Sequence, residues 1–155
     1  MRKRIINPAL NTPPASPTWL NIENIATVEI TSEEAAYPIE LAFLPGTHAG
    51  WRAATPGKQL IRLLFDQPQP LQQIWLKFLE TQIERTQEFV LQWSSDGQTF
   101  QEIVRQQWNF SPDGAVDETE AYDVQLDAVT VLALSITPDI RGGTALASLA
   151  QLRLA

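Results

Sequence analysis

Cysteine is absent from this 155-residue chain, so disulfides, thiolate metal sites and cysteine nucleophiles are excluded. Histidine is almost absent as well. With His48 alone, neither a histidine zinc cluster nor a Ser-His-Asp triad with a histidine to spare can be built. Basic charge is scarce: 11 Lys and Arg stand against 18 Asp and Glu, for a net charge of −7. Binding phosphate backbones depends on basic side chains displacing counterions, so nucleic acid is not an expected partner. An anionic membrane surface is disfavoured on the same ground. Long apolar runs are missing too. The start, MRKRIINPALNTPPASPTWLN, is basic, but Pro8, Pro13, Pro14 and Pro17 interrupt any apolar helix, so neither a signal peptide nor a membrane span is expected. The expected location is cytoplasmic, which a cysteine-free chain suits.

What remains is a chain of one-domain size, 44% hydrophobic and 19% charged, within the globular range. Residues 1–20 read as a proline-rich leader and residues 21–155 as the folded domain. Thr27 to Thr31 alternates with period two and carries β-branched residues, the pattern of a strand. Residues 33–50 lose the alternation and read as a long loop with a helical turn around Ile39 to Phe43. Further strands are predicted over Gln59 to Phe65, Leu71 to Leu79, Glu88 to Ser94, Thr99 to Gln107, around Tyr122 to Leu126, Val129 to Thr137, and Ala145 to Leu154. Asp66-Gln67-Pro68-Gln69-Pro70 reads as a connection, because proline donates nothing to a sheet ladder. Ser95-Asp96-Gly97-Gln98 reads as a hairpin turn, and Asn109 to Gly114 as a loop. About eight strands without a crossover helix predict an all-β, antiparallel β-sandwich of jelly-roll type.

The order of these features is informative. Gly50-Trp51-Arg52-Ala53-Ala54-Thr55-Pro56-Gly57-Lys58-Gln59, leading into Ile61 to Asp66, is similar to the opening of a discoidin-type domain. Arg85 to Phe100, with its strand, Ser95-Asp96-Gly97 turn and closing aromatic, resembles that family's central hairpin, and Ala147 to Leu154 resembles its last strand. Over about residues 26–155 the chain thus resembles the galactose-binding-domain-like superfamily, which includes discoidin domains, coagulation-factor type C domains and many carbohydrate-binding modules. The resemblance implies a non-catalytic binding module with ligands on the loops at one end. It also implies a structural calcium held by an aspartate before the tryptophan and a glutamate in the last strand. Here those places read Leu44-Pro45-Gly46-Thr47 and Gln151, so the carboxylates expected of a calcium site are absent and no cofactor is expected.

Six residues are candidates for ligand binding: Arg85, Arg105, Trp108, Asn109, His48 and Arg52. Arg85 sits where sugar-binding relatives often carry an arginine; its plainer reading is an exposed ion pair with Glu84 or Glu88. Trp108 and Phe110 flank Asn109 beside Arg105, joining aromatic faces to polar donors as a sugar requires; the alternative is a packed strand edge. Trp51 reads as core rather than as a sugar platform, and Trp75 and Trp93 as core. The acidic residues Glu33, Glu34, Asp113, Asp117, Glu118 and Glu120 read as solvated, with no general acid set opposite a general base. No phosphate-binding loop or serine-nucleophile elbow occurs, so no enzyme is expected. The expected partner is a carbohydrate or similar polar ligand. The alternative is a protein-interaction module or homo-oligomer.

Overall fold

A computed structural model describes residues 1–3, 19–46 and 49–155. The proline-rich stretch 4–18 and His48 therefore lie outside the described residues, and so do the expectations attached to them. Among the described residues two single-turn helices, α1 (Ile22–Ile25) and α2 (Glu40–Phe43), accompany eight strands. These are β1 (Ala26–Ile30), β2 (Trp51–Arg52), β3 (Gln59–Leu79), β4 (Arg85–Ser94), β5 (Gln101–Phe110), β6 (Asp117–Thr137), β7 (Ser148–Leu149) and β8 (Gln151–Leu154). Among the described residues every pairing between strands is antiparallel. The all-β antiparallel sandwich expected from the sequence is the fold found. No helix among the described residues is long and apolar enough to cross a membrane.

The two 21-residue strands, β3 and β6, each serve both layers. Residues 59–64 of β3 pair with 131–136 of β6, flanked by β1 on one side and by β4 and β5 on the other. Residues 73–79 of β3 then pair with 117–123 of β6, with β8 on the far side of β3. Between these stretches the register slips three times, from Leu64 to Gln73. Slippage by an odd number of residues changes which side chains face inward and bends the strand. Ile61, Leu63 and Phe65 are buried in the first half of β3, and Ile74, Leu76 and Phe78 in the second. The layers meet face to face: the Phe78 ring of β3 stacks on Phe89 of β4, centroids 5.1 Å apart.

This corrects the reading of residues 66–70 as a separate connection. Pro68 and Pro70 lie inside the run of β3. Their fixed φ suits extended backbone, and their missing donors fall where the ladder is already broken. Similarly, Asn109 and Phe110 belong to β5 rather than to a loop. The last predicted strand divides into β7 and β8 at Ala150, whose N–H bonds to the Lys77 carbonyl.

Turn chemistry follows expectation at the hairpin. Gly97 adopts φ +79°. The N–H groups of Thr99 and Gln98 donate to Asp96 Oδ1 and hold that carboxyl down at about 2. Gly50, at φ +77°, serves closer packing: a Cβ there would overlap the Leu149 carbonyl and Ala150. Trp51 beside it is fully buried, with its indole N–H donated to the Ser32 carbonyl. Trp75 is buried, and Trp93 packs half-buried against the core.

The Phe78–Phe89 contact gives a direct measure of interlayer packing. Phe89→Ala is expected to cost about 3–5 kcal/mol in urea denaturation, as for other large-to-small core changes. The double variant with Phe78→Ala should cost about 0.5–1.5 kcal/mol less than the sum of the singles. Full additivity would show that the rings do not stabilise one another.

Candidate functional site

Strand direction gathers the segments 31–38, 53–58, 80–84, 111–116 and 138–147 at one end of the sandwich. Backbone bonds lock the first segment to β2: Glu34 N–H donates to the Arg52 carbonyl and Arg52 N–H to the Tyr37 carbonyl. The Arg52 guanidinium lies 4.3 Å from the centroid of the Tyr37 ring, with Nη1 3.9 Å from Glu34 Oε2. Arg52 is 42% exposed, so an aromatic ring, a cation and a carboxylate meet on accessible surface. Beneath them the buried Gln59 accepts the Thr31 and Ser32 hydroxyls and donates to the Thr55 carbonyl. Tyr37 and Gln59 were not among the sequence candidates. Their signal is faint, since both sit beside turn residues with no motif around them.

The remaining candidates separate. Arg85 is fully buried, which corrects both of its expected roles. Its Nε donates to Glu80 Oε1 at 2.8 Å and its Nη1 to the Pro138 carbonyl at 2.8 Å and to Gln87 Oε1 at 3.2 Å. The guanidinium also sits 4.7 Å from the Phe110 ring centroid. Arg85 therefore ties segments 80–84 and 138–147 together from beneath and has no free surface for a ligand. Burial acts to raise the Glu80 carboxyl, but the Arg85 hydrogen bond, the Gln82 N–H and the Arg85 charge outweigh it and hold Glu80 low.

Because β5 runs on to Phe110, its side chains alternate, and Trp108 and Phe110 face inward while Arg105 and Asn109 face outward. The expected aromatic–amide surface is therefore split between two faces. Asn109 Oδ1 accepts the Thr86 hydroxyl at 2.6 Å. Arg105 donates to Glu88 at 2.9 Å and Glu102 at 3.0 Å on the outer sheet face.

A polar cluster lines the interior beside Arg85. Gln87 is buried and donates to Glu118 Oε1 at 3.3 Å. Glu118 is 1% exposed, against the expectation of a solvated acid. Glu33, by contrast, accepts the Ile39 N–H, and Asp117 lies 3.7 Å from Lys77. Burial, a hydrogen bond shared with Glu120 and the Glu120 charge push the Glu118 carboxyl up to about 8, against the opposing pull of Gln87 and Arg85. Glu118 Oε2 has no donor among the described residues. A proton on Glu118 supplies one, turned toward Glu120. Burial and then the two carboxyls also push the Tyr122 hydroxyl well above its ordinary value.

The calcium implied by the family resemblance does not fit. Its expected ligands would be oxygens, yet Gln151 Nε2 donates to the Leu44 carbonyl at 3.0 Å and Arg153 Nη1 to the Phe43 carbonyl at 2.8 Å. An amide and a guanidinium thus hold the loop after α2, and a hard cation beside them would meet hydrogen-bond donors and positive charge. Burial lowers the Arg153 pKa. No group of three acidic or histidine side chains suited to a metal occurs among the described residues.

The antiparallel sandwich is similar in fold to solved family 32 carbohydrate-binding modules. The family 32 module of Clostridium perfringens NanJ, solved with galactose, is 16% identical, with 88% of this chain and 96% of that one covered and a TM-score of 0.63. The Clostridium perfringens module CpGH89CBM32-5, solved with GalNAc-beta-1,3-galactose, is 18% identical over 88% and 99% of the two chains, with a TM-score of 0.62. A pectin-binding module is 17% identical over 84% and 89%, with a TM-score of 0.58. No protein-family model matches the chain. No curated protein matches it in sequence.

Two outcomes test these assignments. Glu118 holds its proton in the folded chain up to about pH 8 but loses it in the unfolded chain near its ordinary value of 4.5. Its contribution to stability is therefore full below about pH 4.5 and is lost as pH rises through about 8. Thermal unfolding should show Tm falling across that window, and Glu118→Gln should flatten the fall; an unchanged slope would place the titration elsewhere. Separately, adding calcium or EDTA should leave Tm unchanged. A calcium-dependent rise would show that the Gln151 and Arg153 contacts do not replace the ion.

Proposed function

We propose that the chain is a non-catalytic carbohydrate-binding module whose ligand contacts the loop end around Tyr37, Arg52 and Glu34. The observation that carries this reading is the locked, accessible Tyr37–Arg52–Glu34 arrangement on the loop end of this fold. Ring, donor and acceptor meet there without rearrangement, which is what a sugar's apolar face and hydroxyls require. Similar folds solved with galactose and with GalNAc-beta-1,3-galactose support it. Glu118, whose carboxyl is raised beside Glu120, is buried inside the sandwich and closed to a substrate.

A protein partner is the second reading, favoured by Ile83 and Ile140, which are 44% and 48% exposed on segments of the same loop end. Calorimetric titration with a monosaccharide panel, galactose included, separates the two. Arg52→Ala should weaken sugar binding by about tenfold or more, a loss of about 1.4 kcal/mol. No heat from any sugar, together with self-association or a stoichiometric protein complex in light scattering, would replace the first reading with the second.

A further inference from the structure

The outer face of the five-stranded layer carries a groove of about 380 Å³ that opens toward the loop end. Its origin lies in side-chain length. On central strand β6 the outward residues Ala133, Ser135 and Thr137 are short, while the flanking strands present longer ones, Arg62 on β3 and Glu88 and Gln92 on β4. One level across the sheet reads Leu60, Ser135, Val90, Arg105. Leu60 and Val90 give the floor an aliphatic strip, with Lys58 and Arg105 on the rim. A few hundred cubic ångströms, apolar below and polar at the sides, is the ordinary form of a small-ligand cleft.

Bonding sets this groove apart from the loop end. There Arg85 and Asn109 are engaged with neighbouring groups. In the groove, the side chains of Lys58, Gln92, Ser135 and Thr137 make no hydrogen bond to another described residue. Those of Gln92, Ser135 and Thr137 are held on the sheet, with Lys58 just before β3, and all are left open to a ligand. Charge on the surface is balanced, since Arg105 is bound by both Glu88 and Glu102 and Glu88 also feels Lys58. Such a surface favours a neutral, hydroxyl-rich ligand over an anion.

We propose that this groove holds the continuation of a neutral oligosaccharide whose first ring sits at the loop end. The inference rests on the carbohydrate reading above and deepens it: the module recognises a length of glycan chain rather than a terminal sugar alone. Without an aromatic floor, the added binding comes from hydroxyl pairing with Gln92, Ser135, Thr137 and Lys58.

Calorimetric titration of the full chain with galactose and with a galactan tetrasaccharide tests this. The tetrasaccharide should bind about tenfold more tightly than galactose, equivalent to about 1.4 kcal/mol. Ser135→Trp, which fills the groove from the solvent side, should abolish that gain and leave galactose affinity unchanged. Should that variant fail to fold, the pair Lys58→Ala and Gln92→Ala carries the test, with about a fivefold loss confined to the tetrasaccharide. Equal affinities of the wild-type chain for the two ligands, or a length gain untouched by these substitutions, would overturn the groove and leave the loop-end reading standing. Absence of binding by either saccharide would overturn both.

Discussion

The pairing of β3 with β6 is the constraint on which the rest of the architecture depends. These two strands are neighbours in both layers, so the hydrogen-bond ladder that builds one sheet continues into the other. The register slips between Leu64 and Gln73 are the place where the ribbon turns over, exchanging which residues face the core. β1, β4 and β5 extend one half of the ribbon, and β8 extends the other. The Phe78–Phe89 stack then closes the layers on each other. Antiparallel pairing fixes the directions, which is why the turns collect at two opposite ends.

Much of this was legible in the sequence because period-two burial leaves a strong trace in an antiparallel sandwich. The runs around Ile61, Leu76, Leu91 and Leu134 were read as strands and are strands. Proline misled at residues 66–70, since its effect on a ladder says nothing where no ladder is formed. The site was less legible for a simpler reason. Arg85 and Gln87 share parity with Phe89 and Leu91, and Glu118 shares it with Tyr122, Val124 and Leu126, so the alternation already pointed these polar groups inward. Residue type argued for exposure and parity for burial, and parity prevailed because Glu80, Pro138 and Glu120 supply the missing partners. Glu80 and Pro138 come from turns, which alternation alone cannot reveal.

Long polar side chains brace the turns and loops, and Arg85 and Gln59 do so at the loop end while buried. Arg85 fastens Glu80 to the Pro138 carbonyl, and Gln59 fastens Thr31 and Ser32 to Thr55. Gln151 and Arg153 secure the carbonyls of Leu44 and Phe43 in the same manner. Each of these long polar side chains engages a backbone, hydroxyl or carboxylate oxygen of a neighbouring segment. Rigidity of a recognition surface depends on such anchoring, because a loop held before contact loses less entropy on binding.

The path of the chain at the opposite end has a geometric consequence. Leu20 bonds to the Leu154 carbonyl, and Ala155 bonds to Gln72 and Gln73, so the entry to the domain and its exit lie side by side. Any tether joined at either point pulls along the same axis and away from Tyr37 and Arg52. A body joined there would leave the end that carries Tyr37 and Arg52 uncovered by its own linker.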